Sequence, residues 1–141
     1  MPKSERDPVD SAEYVLRRVP NHVQYVNLNL PQSVQSEAFR PNDKDGHGIS
    51  VFRELFISAQ DLAMKSPKEG DYYVVRLAVA DLATLSLSVE PDPQADGLPG
   101  HSLVPELKYG AKGDAKNRER ELRLELARLA SQNVVFHPVQ A

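Results

Sequence analysis

The chain has 141 residues, a net charge of −3, and 40% hydrophobic and 26% charged residues. This length and composition are typical of one globular domain, and the acidic balance argues against nucleic-acid binding, for which a basic face supplies most of the affinity. The absence of cysteine excludes disulfides, thiolate catalysis and cysteine-based zinc sites.

The first segment, residues 1–11, is charged and contains prolines, which predicts a mobile tail before a single domain over residues 12–141. This segment has no apolar region typical of a signal peptide. The longest apolar stretch, residues 77–89, is too short and too polar to span a bilayer. We therefore expect a cytoplasmic protein that has no membrane contact.

Strand signals recur along the chain as short runs of β-branched and aromatic residues bounded by turn formers. Alternating apolar residues within 23–30 predict one more short strand, and residues 38–41 predict a short extended piece. The predicted strands are 14–19, 49–56, 71–79, 87–90, 101–107 and 133–138.

Helix signals are fewer. Ser58 caps a short helix with Asp61 three residues later, and residues 80–85 predict one or two helical turns. Asp114 caps the one long helix, which runs to about Ser131 and carries an apolar stripe. These elements predict an α+β fold, in which a small, mostly antiparallel, twisted sheet of five or six strands has the long C-terminal helix packed on one face.

The first candidate catalytic residue is His101. Pro99 and Gly100 predict a sharp bend that presents His101 at the end of a strand, where histidine is suited to act as a general acid or base. No acidic residue is adjacent in sequence, so no orienting partner is identified, and the alternative is a histidine that caps or packs at a loop edge. An enzyme hypothesis groups His101 with Ser50 as the catalytic residues.

Arginines on predicted extended segments are candidates for ligand binding, because the planar guanidinium matches the geometry of carboxylate and phosphate groups. Strand alternation places Arg17 and Arg18 on opposite faces of the sheet. The alternative is ion pairing on a solvated sheet face, with Glu37, Glu54 or Glu90. The arginines in question are Arg17, Arg18, Arg40, Arg53 and Arg76, of which we assign Arg18, Arg40 and Arg53 to the candidate ligand site.

No metal or cofactor is predicted. The turn that contains Asp43, Asp45 and His47 fails as a calcium loop, because Pro41 and Phe52 fall where the loop requires its first and last ligands. A solvated hairpin turn is the preferred interpretation, with a weaker metal role as the alternative. The glycine turn at residues 110–113 matches a bare GxxG motif, but a flexible turn before the long helix is preferred over an anion site, because Asp114 would repel phosphate.

Two resemblances concern function. Residues 16–20, 36–41, 45–51 and 98–105 resemble segments of short uncharacterised bacterial proteins, which implies a bacterial origin but no activity. At the level of the fold, a set made of Arg18, Ser50 and either Glu90 or Glu106 resembles the arginine, serine and glutamate of ADP-ribosyltransferases. That second resemblance implies a nucleotide substrate.

The leading functional hypothesis is a non-catalytic accessory module that binds another protein through its sheet edge or through residues 91–105, because extended proline-containing segments can pair with a partner. The alternative is a ligand-binding or transferase-like enzyme that acts on an anionic or nucleotide substrate. The enzyme hypothesis requires four side chains to meet in one cleft, namely Arg18, Arg40, Ser50 and His101.

Overall fold

The computed structural model describes residues 3–27, 33–94 and 97–138. The strands in these ranges are β1 (Tyr14–Pro20), β2 (Val26–Asn27), β3 (Ser33–Val34), β4 (Ile49–Arg53), β5 (Tyr72–Ala78), β6 (Glu90–Pro91), β7 (His101–Val104) and β8 (Val134–Phe136). The helices are α1 (Ala59–Met64), α2 (Val79–Thr84) and α3 (Asp114–Ser131), with a 3₁₀ helix at Ser36–Phe39.

Six strands form one antiparallel sheet in the order β6-β7-β4-β1-β5-β8, while β2 and β3 form a separate two-stranded ribbon. The longest pairing is that of β1 with β5, which are paired from Tyr14↔Ala78 to Pro20↔Tyr72. This pairing buries the β-branched and aromatic residues that identified both strands in the sequence. The predicted α+β fold with a C-terminal helix packed on the sheet is confirmed.

The larger core lies on the sheet face covered by α3, whose stripe contributes Leu122, Leu126 and Ala130. A smaller core lies on the opposite face, where Leu62 of α1 packs near Leu16. Full burial of a side chain of this size contributes about 1.5–3 kcal/mol relative to exposure. The candidate site lies next to the smaller core, whose Phe52 also lines it.

Several local predictions need correction. Of the extended piece predicted at residues 38–41, Ala38 and Phe39 lie in the 3₁₀ helix, since the Ala38 amide donates to the Gln35 carbonyl at 3.0 Å, whereas Arg40 is extended. The strand predicted at residues 87–90 is reduced to Glu90–Pro91, and the cap of α3 is Gly113, with Asp114 as its first residue. Of the strand predicted within 23–30, β2 is present, and residues 28–30 lie outside the described ranges.

The N-terminal segment, predicted from the sequence to be a mobile tail, contacts the sheet within its described residues 3–11. Arg53 Nη1 donates to the carbonyl oxygens of Asp7 at 2.8 Å and Glu5 at 3.3 Å, and Nη2 donates to that of Pro8 at 3.4 Å. The same guanidinium makes two bonds of 2.8 Å to the Glu13 carboxylate. Arg53 therefore fastens this segment to the sheet.

Candidate functional site

The candidate site lies where β1 and β4 part. The two strands are paired only at Val15↔Arg53 and Leu16↔Phe52. Beyond these pairs Arg17 bridges the gap, donating from Nε to the Ala38 carbonyl at 2.8 Å and from Nη1 to the Ser50 carbonyl at 2.6 Å. A cavity of about 670 Å³ opens at this point.

This cavity, called here the arginine cleft, has two walls. The sheet wall is made of side chains that are buried or half-buried, and the loop wall is made of residues 37–45 together with Tyr109, several of which are exposed. The sheet wall is formed mainly by Arg17, Arg18, Ser50, Phe52 and Tyr72. The loop wall includes Glu37, Arg40, Asp43 and Asp45.

Arg18 is held in place on the sheet wall. Its guanidinium lies 5.5 Å from the ring centre of Phe52 and 5.9 Å from that of Tyr72, which are cation–π distances. Its Nη1 donates to Ser66 Oγ at 2.6 Å. That bond uses one of the five N–H groups that a guanidinium offers.

Two cations lie close together in the cleft. The pKa of Arg17 is lowered from 12.5 to about 10, mainly by burial; the charge of Asp45 raises it, and the charge of Arg18 lowers it. Arg17 is still charged at neutral pH, because a pKa of 10 is well above 7. An anion bound in the cleft would offset the repulsion between these two positive charges.

Arg40 lies on the loop wall, where its side chain is 61% exposed and its Nη1 is 3.5 Å from Glu37 Oε2. Glu37 also receives Arg123, whose Nη1 is 3.3 Å from Oε1. Glu37 is therefore neutralised by the chain's own arginines. The structure thus brings Arg18, Arg40 and Ser50 into one cavity.

His101, the fourth side chain that the enzyme hypothesis requires, is not among the described residues that line the cavity, and it contacts this set through Ser50. The His101 Nε2 atom lies 2.9 Å from Ser50 Oγ, and Nδ1 lies 2.9 Å from the Asp92 carbonyl and 3.2 Å from Asp92 Oδ2. Sequence reasoning missed Asp92, which is nine residues away along the chain. Its only signal was an acid in the proline-rich loop that leads into β7.

Arg53 lies apart from the arginine cleft. Its side chain is fully buried and engaged with Glu13 and with the N-terminal carbonyls described above. Arg53 is consequently an internal anchor, and we remove it from the ligand site. Arg76 is also ion-paired, with its Nη2 2.9 Å from Glu54 Oε1.

The other site candidates from the sequence have less structural support. Asp45 Oδ2 accepts the Asn42 amide at 2.8 Å and closes the turn, and the described ranges contain no cluster of three side chains suited to a metal. The glycine turn before α3 is largely exposed. Glu106 accepts the Ser88 hydroxyl at 2.6 Å, while Glu90 is exposed and pairs with Leu103, the neighbour of Ser50 across β4–β7.

No helix in the described part of the chain has both the length and the apolar character that a membrane crossing requires. Comparisons with protein families, with curated proteins and with solved structures found no match to this chain. The geometry of the arginine cleft is therefore the basis on which a function is proposed.

Proposed function

We propose that this protein binds a small anionic ligand in the arginine cleft. The observation that carries the proposal is the position of Arg18, which is held by two aromatic rings and Ser66 on the same cavity wall as Ser50. A guanidinium fixed in this way loses little side-chain entropy when it binds a carboxylate or a phosphate, so its bidentate geometry favours such a ligand.

The loop wall favours a ligand that also has hydroxyl or amino groups. Asp43 and Asp45 line the cleft opposite the sheet wall, and carboxylates accept hydrogen bonds from such donors. Tyr109, whose ring is 58% exposed, lies at the same cavity and offers a flat surface for stacking. A nucleotide or a phosphorylated polyol combines these features.

The test is a thermal-shift and calorimetric titration at low ionic strength with inorganic phosphate, citrate, AMP, ADP and NAD. We expect at least one of these to raise the melting temperature of the wild-type protein, because a ligand at one hundred times its Kd contributes about 2.7 kcal/mol. Arg18→Gln should weaken that ligand by at least tenfold, since it loses the charge-assisted bonds.

The matched control is Arg128→Gln, which removes an arginine from the solvent-facing side of α3, where it pairs only with Glu125 among the contacts described. This variant should bind as the wild type does. The proposal fails if none of the five anions binds, or if Arg18→Gln and Arg128→Gln bind equally well.

The protein-interaction role expected from the sequence stays a prediction. Of its two proposed routes, residues 91–105 and a sheet edge, the second has few residues available in the described ranges, because the edge strands are the two residues of β6 and the three of β8. Short edge strands are a common way to prevent pairing with other chains. The cleft is therefore the better supported hypothesis.

A further inference from the structure

A Ser–His–Asp arrangement crosses three neighbouring strands at the arginine cleft. The register pairs Phe52 with His101 and Ser50 with Leu103, so Ser50 and His101 are diagonal neighbours on the same face of β4 and β7. Their contact of 2.9 Å between Oγ and Nε2 lies within the range of a nucleophile and its base. Asp92 follows β6 directly, and its amide donates to the His101 carbonyl at 2.9 Å.

The partners of the ring determine which nitrogen carries the proton. Both atoms that face Nδ1, the carbonyl oxygen and Oδ2 of Asp92, only accept hydrogen bonds at neutral pH. Nδ1 must therefore donate, and Nε2 of the neutral ring has no proton. The Ser50 hydroxyl consequently donates to Nε2, which is the direction of proton transfer that activates a serine.

The ring is also held in position. His101 meets the ring of Phe52 edge-on, with centroids 5.3 Å apart and planes at 74°, and its side chain is 16% exposed. A base fixed in this way needs no reorganisation before it accepts a proton. Ser50, by contrast, lines the cleft, so its oxygen lies between the base and the space where a ligand would bind.

The electrostatic surroundings favour negative charge at Ser50. Arg17 Nη1 donates to the Ser50 carbonyl at 2.6 Å, and Arg18 lines the same cavity wall. Positive groups fixed close to a reacting oxygen stabilise the charge that develops there during attack.

We infer that Ser50 is a nucleophile activated by His101, with Asp92 as the positioning residue, and that the cleft cleaves esters of small anionic acids or anionic alcohols. The assignment of the nucleophile rests on the contacts of Ser50, His101 and Asp92. Only the anionic character of the substrate depends on the proposed function.

The reaction has two stages. Ser50 Oγ forms a bond to the ester carbonyl carbon, its proton moves to His101 Nε2, and the carbonyl π pair moves to oxygen. When the carbonyl re-forms, the bond to the alcohol breaks and the alcohol leaves with the proton from Nε2. Water then attacks the acyl-serine with His101 as base, which releases the acid and restores Ser50.

The test is covalent labelling with diisopropyl fluorophosphate, a small neutral reagent. Ser50 Oγ would bond to phosphorus, fluoride would leave, and His101 would take the proton. We expect peptide mass spectrometry to find one diisopropylphosphoryl group on Ser50. Ser50→Ala should abolish the labelling, and His101→Gln should slow it by about 10²–10⁴-fold.

Asp92→Asn tests the positioning role. The Asp92 carbonyl would still accept from Nδ1, so we expect a smaller loss of about tenfold, and Asp92→Glu should restore part of the rate. Nitrogen NMR of His101 should show the proton on Nδ1 in the wild type and a larger fraction on Nε2 in Asp92→Asn. If Asp92 has only a structural role, Asp92→Asn will leave both the labelling rate and the His101 tautomer unchanged. That result would overturn the assignment of Asp92 as the positioning residue.

The control is Ser88→Ala. The Ser88 hydroxyl is hydrogen-bonded, as that of Ser50 is, but its partner is the Glu106 carboxylate, and it has no histidine contact in the structure described. This variant should be labelled at Ser50 at the wild-type rate. The nucleophile is refuted if folded wild-type protein, checked by circular dichroism, is not labelled at Ser50, or if Ser88 is labelled as fast.

The two proposals fail separately. Labelling does not require Arg18, so labelled Ser50 in a protein that binds none of the anions would support the nucleophile and refute anion binding. Anion binding that depends on Arg18, without labelling, would support the ligand site and refute the nucleophile.

Discussion

Single residues with unusual backbone angles shape the approach to β4 and β7. Gly48 has a φ of +128° immediately before β4, and a Cβ there would lie 2.5 Å from the Val104 carbonyl oxygen. Gly100 has a φ of +84° immediately before β7, and a Cβ there would lie 3.0 Å from the Arg53 carbonyl oxygen. Each glycine lets two main-chain segments approach closely at the start of a strand that carries a site residue.

Gly48→Ala should therefore destabilise the protein by about 2 kcal/mol or more, because the new methyl group adds a clash with main chain to an unfavourable φ. Chemical denaturation would measure the change. Gly46→Ala is the matched control in the same turn, since a Cβ there meets nothing within 4 Å. Equal stability of the two variants would contradict this account of Gly48.

At the scale of elements, the ion pair of Glu13 and Arg53 links the N-terminal segment to β4. Burial alone would raise the pKa of Glu13, but the hydrogen bonds from Arg53 and from the Asp10 amide outweigh it and lower the pKa to about 2, from an ordinary value of 4.5. A carboxyl group whose pKa is lower in the folded state stabilises that state above pH 4.5. The stabilisation is lost as the pH falls from there toward 2.

Glu13→Gln should cost about 3 kcal/mol at pH 7, because it leaves the buried Arg53 without a counter-charge. The difference from the wild type should shrink as the pH is lowered from 5 to 2, which denaturation at a series of pH values would measure. Glu125→Gln, in an exposed pair with Arg128, should change stability by less than about 1 kcal/mol. A Glu13→Gln difference that is constant with pH would contradict the assignment.

The elements that could be predicted from sequence are those whose stabilising interactions lie within the element or next to it in the chain. Ser58 accepts the Asp61 amide as its spacing predicted, and the stripe of α3 is buried at Leu122, Leu126 and Ala130, because both signals are local. The two-residue strands β2, β3 and β6 are too short for a periodic pattern. They are defined by their pairing, β2 with β3 and β6 with β7.

The candidate site divides in the same way. The bend before His101 was visible in sequence, whereas its contacts with Ser50 and Asp92 depend on strand order, which no local pattern specifies. Arg53 was assigned to the ligand site because a strand arginine was expected to face a ligand or solvent, whereas it is buried against Glu13. Its partner Glu13 is forty positions away, so the buried pair had no local signature.

At the scale of the whole molecule, residues 5–8 contact parts of the fold that are distant in sequence. Arg53 donates to the carbonyl oxygens of Glu5, Asp7 and Pro8, and the Gly100 amide donates to the Glu5 carboxylate. This segment therefore contacts the main chain next to His101 across a separation of 95 positions.

Removal of residues 1–8 should lower the free energy of unfolding by about 3 kcal/mol or more, since several hydrogen bonds to a buried charge are lost together. Thermal and urea denaturation would measure the change, and amide hydrogen exchange should show faster exchange around Gly100. If the segment made no stabilising contacts, its removal would change the free energy of unfolding by less than about 0.5 kcal/mol. That smaller result would show that the segment adds nothing to the fold.

The parting of β1 and β4 has a further consequence. Arg17 acts as a wedge, because its side chain satisfies the Ser50 and Ala38 carbonyls across the gap between the strands. The width of the opening is thus set by the length of one side chain within the sheet and does not depend on an occupant. The residues of the loop wall can then change, and with them the selectivity for the proposed ligand, while the sheet wall that carries Arg18 and Ser50 keeps its shape.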